Sequence, residues 1–88
     1  PHIPLTIHMG AADDWTPPGL CVELSRIWQS TIHLYEGAYH SFDTPNSPVR
    51  VRRGMAFSAT GTGVVHVGTN PKARAMAIKR VMETLKRM

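Results

Sequence analysis

Apolar and polar residues alternate at the start of the chain and then change to a helical spacing. Residues 3–9 read Ile-Pro-Leu-Thr-Ile-His-Met, with every second residue apolar, and Gly10 follows. This alternation predicts a short strand. Between residues 19 and 30 the apolar positions recur at i, i+4, i+7 and i+8, which predicts a helix with one apolar face. That face consists of Leu20, Leu24, Ile27 and Trp28.

The next segment completes a strand–helix–strand unit. Residues 31–35, Thr-Ile-His-Leu-Tyr, are rich in strand-forming types and are followed by Glu36-Gly37. Strand, helix and strand in this order predict a βαβ unit, whose crossover is right-handed and whose strands are parallel. The fold class predicted for the chain is therefore α/β.

The second half of the chain predicts a long loop followed by a helix. Residues 41–69 are punctuated by proline and glycine, which indicates an excursion with at most short strands such as 49–53. Asn70 is a favourable N-cap and Pro71 suits the first helical position. Beyond them the apolar residues follow a helical repeat, which predicts a C-terminal helix with an apolar face of Ile78, Val81, Met82 and Leu85.

The length of the chain limits what it forms by itself. A single chain of 88 residues buries only about 60 to 65% of its unfolded surface. A parallel sheet needs cover on both faces, and two helices with two or three strands leave one sheet edge open. We therefore expect residues 1–88 to be one partial α/β domain, a fragment of a larger α/β protein rather than a complete domain. Because the first residue is Pro1 rather than Met, we expect the natural start to lie upstream.

The positive charge does not predict nucleic-acid binding. The net charge is +4, and six of the ten basic residues lie in the last 17 positions, on the predicted final helix. No zinc-ligand spacing, RNP-like motif or aromatic interleaving accompanies them, so a solvated helix face is favoured over a nucleic-acid interface. No apolar run approaches the roughly 20 residues that a membrane span requires. We expect neither nucleic acid nor a membrane as partner.

The single cysteine gives little information on compartment or metal binding. Cys21 has no internal partner for a disulfide and no spacing typical of a metal site. We expect no metal and no cofactor, and a cytoplasmic location is favoured, with periplasmic or secreted locations left open.

Candidate chemistry follows each of the two predicted strands. Asp13 and Asp14 come after the first strand, and His40 comes after the second. Because the carboxyl ends of parallel strands lie at the same sheet edge, an acid and a histidine can meet there as a base and its orienting carboxylate. The order acid, then histidine, is also that of the α/β-hydrolases, in which a nucleophile precedes both.

Three segments resemble the C-terminal part of the dienelactone hydrolase family, a branch of the α/β-hydrolases. They are GAADDWTPPGLC, YEGAYHSFD and HVGTNPKARAMAIKRV, and together they span nearly the whole chain. The family's motif G-x-x-D-x-x-x-P begins here at Gly10 and has its acid at Asp13, and its H-S/A-F motif has its histidine at His40. The resemblance implies an ester or lactone hydrolase with a Cys-Asp-His or Ser-Asp-His triad, in which Asp13 and His40 are catalytic.

The chain departs from the family in lacking a nucleophile motif. Neither G-x-C-x-G nor G-x-S-x-G occurs in the 88 residues, so the nucleophile and the oxyanion hole are expected upstream and the chain alone is predicted to be inactive. Cys21 follows the acid instead of preceding it, which disfavours it as the nucleophile. Either aspartate could instead cap a helix or close an Asx turn. The family register favours Asp13 as the acid and leaves Asp14 as a turn or supporting residue.

Other residues have open assignments. Trp15, Tyr39 and Phe42 flank the two loops and could either wall a substrate pocket or pack in the core. The remaining histidines, His2, His8, His33 and His66, are expected to be structural or exposed. The expected partners are a small ester or lactone substrate and either a second copy of the chain or the missing N-terminal part. The alternative function is a non-catalytic α/β module that self-associates through its sheet edge.

Overall fold

The computed structural model describes residues 5–87 of the chain. The elements in chain order are β1 (Thr6–Gly10), α1 (Pro18–Trp28), β2 (Thr31–Tyr35), β3 (Arg50–Arg52), β4 (Val65–Val67) and α2 (Pro71–Lys86). The start of the predicted first strand, Ile3 and Pro4, lies outside the described residues.

The first three elements form the predicted βαβ unit. β1 and β2 pair in parallel, with a register that runs from Thr6 opposite Thr31 to Gly10 opposite Tyr35. α1 connects them and packs against both strands. Pro17 is its N-cap and a proline occupies the first helical turn, where a missing N–H costs little. The helix ends at Trp28, and the left-handed backbone of its C-cap, Gln29, prevents a further helical turn. The α/β class and the parallel pairing are confirmed.

The excursion between residues 41 and 69 contains a second, smaller sheet. β3 pairs with β4 in an antiparallel register, with Arg50 opposite Val67 and Arg52 opposite Val65. β3 lies inside the strand expected at 49–53, whereas β4 was not predicted. β4 is well buried, since Val65 is fully covered and Val67 is 5% exposed. The excursion is therefore anchored to the core at its C-terminal end.

α2 begins as predicted but buries a different face. The Asn70 side chain accepts a hydrogen bond from the Ala73 N–H at 3.0 Å, which confirms the N-cap. The buried residues of α2 are Ala73 and Ala77, which join a core cluster with Tyr35, Ala38 and Phe42. Small alanines allow the helix backbone to approach these aromatic rings closely. The larger residues of the predicted apolar face are 42–56% exposed: Ile78, Val81, Met82 and Leu85.

The apolar face of α1 is also uncovered. Ser25 is its buried residue, and the Ser25 hydroxyl donates to the Ser30 carbonyl at 2.6 Å. The predicted face is exposed instead: Leu20 68%, Leu24 47%, Ile27 52% and Trp28 37%. Exposed apolar helix faces are typical of interaction sites. Across residues 5–87, neither helix has the length and apolar character needed to cross a bilayer.

Candidate functional site

The loop after β1 fixes one carboxylate firmly. Asp13 is buried, with 8% of its surface exposed. Its Oδ1 accepts hydrogen bonds from the backbone N–H groups of Trp15 at 2.9 Å and Thr16 at 2.8 Å. The Asx turn that was considered as an alternative role is therefore present, and it uses only one carboxylate oxygen. Oδ2 remains free for another partner.

That partner is His40, in the loop after β2. The distance from His40 Nδ1 to Asp13 Oδ2 is 3.2 Å, which confirms the predicted contact. Since a carboxylate can only accept, this contact favours the tautomer that carries its proton on Nδ1 and leaves the lone pair of Nε2 free. The His40 side chain is 35% exposed while that of Asp13 is 7% exposed, so the pair combines a buried carboxylate with an accessible imidazole.

The backbone around His40 is constrained by the conformation of Ser41 and by contacts with β4. Ser41 has a φ of 60°, in the left-handed region, which costs a non-glycine residue on the order of 1–3 kcal/mol. The His40 carbonyl accepts from the Gly68 N–H at 3.1 Å, and His40 forms a parallel bridge with Val67. β4 therefore anchors the backbone of His40.

The glycine of the G-x-x-D-x-x-x-P motif lies where the two loops touch. The Ala12 N–H donates to the Ala38 carbonyl at 3.0 Å, and the Ala11 N–H donates to the Tyr35 carbonyl at 2.9 Å. A Cβ at Gly10 would lie 2.3 Å from the Ala38 oxygen. Glycine at this position therefore permits the close approach that brings the acid loop to the histidine loop.

The second aspartate forms a histidine pair of its own. Asp14 Oδ1 accepts from the His66 backbone N–H at 2.8 Å, and Asp14 Oδ2 lies 2.6 Å from His66 Nδ1. Partial burial raises the pKa of the Asp14 carboxyl, but the hydrogen bonds from the His66 backbone and ring outweigh it, so that pKa lies below its usual value. Asp14 therefore links the loop after β1 to β4. The contact between Asp14 and His66 was not predicted, since no local spacing signals a contact across 52 positions.

The three flanking aromatic residues have different environments. The Trp15 ring lies 4.7 Å from the His40 ring, and Tyr39 stacks on His66 at the same centroid distance. Phe42 is 6% exposed and packs on Tyr35 in the core. Tyr39 and Phe42 also line the cleft described next, whereas Trp15 covers the imidazole.

An open cleft of about 460 Å³ reaches the Asp13–His40 pair. It lies between the end of β1, the His40 loop and α2. His8, Asp43 and Arg74 contribute polar groups to it, and α2 provides an apolar wall of Ile78, Val81 and Met82. Ligand sites commonly have this volume and this mixture of an apolar wall with a few polar groups.

Two other histidines meet on the sheet beneath α2. His8 and His33 are register partners, and their rings stack at 5.2 Å. His8 Nδ1 lies 2.7 Å from the Tyr35 hydroxyl. Burial lowers the pKa of both imidazoles, and the Arg80 charge lowers them further, with the charge of His33 adding to the effect on His8. The two rings therefore resist protonation.

Residues 5–87 contain no group of three or more His, Cys, Asp or Glu side chains suited to a metal ion. Cys21 is a free, partly exposed cysteine in α1 and does not line the cleft. Comparison of the chain with family profiles, with curated proteins and with solved structures gives no match.

Proposed function

We propose that this chain supplies the acid and the base of a dienelactone-hydrolase-like enzyme that cleaves a carboxylic ester or lactone. The observation that carries the proposal is the contact between His40 Nδ1 and Asp13 Oδ2 at 3.2 Å. The nucleophile, a cysteine or serine, and the oxyanion hole belong to a segment that precedes residue 1.

The proposed chemistry is acyl transfer. His40 Nε2 takes the proton of the thiol or hydroxyl as the nucleophile attacks the carbonyl carbon, and the imidazolium returns it to the leaving alkoxide. Water then releases the acid from the acyl-enzyme with the same imidazole as base. Asp13 holds the tautomer and stabilises the imidazolium while it exists.

Preorganisation of the pair supports this assignment over a purely structural contact. The two backbone N–H groups on Oδ1 fix the Asp13 rotamer before any substrate arrives. The left-handed backbone at Ser41 is strain of a kind that clusters at functional sites. The adjoining cleft leaves open space beside the imidazole for the proposed acyl group.

The test uses the natural polypeptide that carries this sequence, with p-nitrophenyl esters and a lactone as substrates. His40→Ala and Asp13→Asn should each lower kcat/KM by about 10³–10⁴-fold. Asp43→Asn is the matched control, because Asp43 lines the same cleft and binds Arg74 through its backbone carbonyl. Retention of parental kcat/KM in His40→Ala, or an equal loss in the control, refutes the proposal.

A second candidate is a non-catalytic module that self-associates. It is favoured by the exposed apolar faces of both helices and by the sheet edges, since within residues 5–87 β1 and β2 pair only with each other. Sedimentation equilibrium of the 88-residue chain tests it. A defined dimer that Leu20→Lys dissociates supports the module, and a monomer at all concentrations refutes it.

A further inference from the structure

We propose that Asp14 and His66 form a positioning pair, which holds the Asp13 carboxylate in register with His40. This inference rests on the proposed function, and it adds His66 as a residue on which that function depends. His66 does not touch the reacting atoms in this proposal; it acts through the backbone that carries the acid.

The first part of the argument is that residue 14 is tied to a different part of the chain from residue 13. Both carboxylate oxygens of Asp14 bind His66, and the Asp14 carbonyl accepts from the Ala59 N–H at 2.7 Å. Three hydrogen bonds therefore fix the residue next to Asp13. Because the two aspartates share a peptide unit, a rotation at residue 14 would move the Asp13 carboxylate as well.

The second part is that the same strand holds the histidine. β4 carries His66, and its continuation at Gly68 donates to the His40 carbonyl. The stacking of Tyr39 on His66 adds a contact from the residue directly before His40. β4 therefore binds the loop of Asp13 through His66 and the loop of His40 through Gly68, in addition to the direct hydrogen bonds between the two loops.

The third part is the chemistry of the His66 ring. One nitrogen, Nδ1, faces Asp14 Oδ2 at 2.6 Å, a distance typical of a strong hydrogen bond. The ring face is occupied by Tyr39. The donor and the ring can be removed separately, because phenylalanine keeps a ring without a donor and asparagine keeps a donor without a ring.

The experiment reads the state of His40 directly in the 88-residue chain. Long-range ¹H–¹⁵N spectra of imidazole-labelled protein identify the tautomer of each histidine, and solvent exchange measures the protection of the His40 Nδ1 proton. In the parent chain we expect the Nδ1–H tautomer. In His66→Phe, loss of one charge-assisted hydrogen bond should speed exchange of that proton by roughly tenfold or more, while His66→Asn should keep the parental behaviour.

Asp13→Asn separates failure of this inference from failure of the proposed function. The amide oxygen would remain on the Trp15 and Thr16 N–H groups, so the amide nitrogen would face His40 and donate to Nδ1. His40 should then change to the Nε2–H tautomer. If it does not, Asp13 does not control His40 and the proposed function fails.

If Asp13→Asn changes the tautomer but His66→Phe leaves His40 exchange at the parental rate, the dyad stands and the positioning role is overturned. A loss of unfolding free energy in both His66 variants, without a change at His40, likewise means a purely structural pair. If His66→Phe does not fold, His66→Ala, which also lacks the donor, replaces it: faster exchange at His40 than in His66→Asn supports the proposal, and parental exchange overturns it.

Discussion

The close packing of the backbone around Gly10 predicts the effect of adding one methyl group at this position. Gly10→Ala would place a Cβ 2.3 Å from the Ala38 carbonyl oxygen, 2.8 Å from its carbon and 2.9 Å from the Tyr39 oxygen. All three are backbone atoms, so no side-chain rotation relieves the clash. Restoring ordinary contact requires the His40 loop to move by about 1 Å.

Two effects of Gly10→Ala lower the free energy of unfolding. Overpacking of this kind costs about 1–3 kcal/mol. The displaced Ala38 carbonyl also loses the Ala12 N–H, at 3.0 Å in the parent chain, which costs about 1 kcal/mol. We expect Gly10→Ala to lower the free energy of unfolding by about 2–4 kcal/mol and to lengthen the contact between Asp13 and His40.

Urea unfolding followed by tryptophan fluorescence and far-UV circular dichroism measures this change. Gly19→Ala is the matched control, because a Cβ there meets nothing within 4 Å and lies in a helix. The control should gain about 0.5–1 kcal/mol from helix propensity and reduced chain entropy. If Gly10→Ala is as stable as the control, the two loops do not approach as described and the reasoning is wrong.

Three further predictions concern other parts of the chain. Asn70→Ala should lower the free energy of unfolding by about 1 kcal/mol through loss of the α2 cap, whereas Asn70→Asp should retain it in the same urea titration; equal losses would contradict the capping role. The folded-state pKa values of His8 and His33 lie below 6.5, so the unfolded chain binds more protons and stability should fall as the pH decreases from about 6.5 through those values. Urea titrations from pH 8 to 5 should show this loss of stability, and His8→Gln should reduce it. The other groups that face His8 are Arg80, Asp43 and Tyr35. A free energy of unfolding that does not change with pH refutes the expectation. The 88-residue chain should not hydrolyse p-nitrophenyl acetate, and turnover that disappears in Cys21→Ser would show that Cys21 is a nucleophile after all.

The local features of the fold were predictable because their signals are local. The period of two in β1, the prolines before α1 and the Asn70-Pro71 start of α2 each act over a few residues, and the corresponding elements are present. The side of each helix that is buried was not predictable in the same way. A helical repeat shows that one face of a helix is apolar. Whether that face is buried depends on the other parts of the fold that pack against it.

The same distinction applies to the candidate site. The contact of Asp13 with His40 could be predicted because strand order brings both to one edge of a parallel sheet. β4 is only Val-His-Val between glycine-rich segments, too short for a periodic pattern. His66 therefore carried no signal, and its contact with Asp14 depends on the path of the whole excursion between residues 41 and 69.

The two aspartate–histidine contacts also close chain loops of different length. Asp13 and His40 are 27 positions apart, and Asp14 and His66 are 52 apart. Doubling the length of a loop adds only about 0.6 kcal/mol to the free energy of closing it. The contact of Asp14 with His66 therefore costs little more chain entropy than the contact of Asp13 with His40. We expect the βαβ unit to bring Asp13 and His40 together before β4 adds its hydrogen bonds to both loops. We expect hydrogen exchange at the amides of residues 65–67 to reveal a partial opening. In this opening β4 separates from the two loops while the parallel sheet of β1 and β2 stays intact.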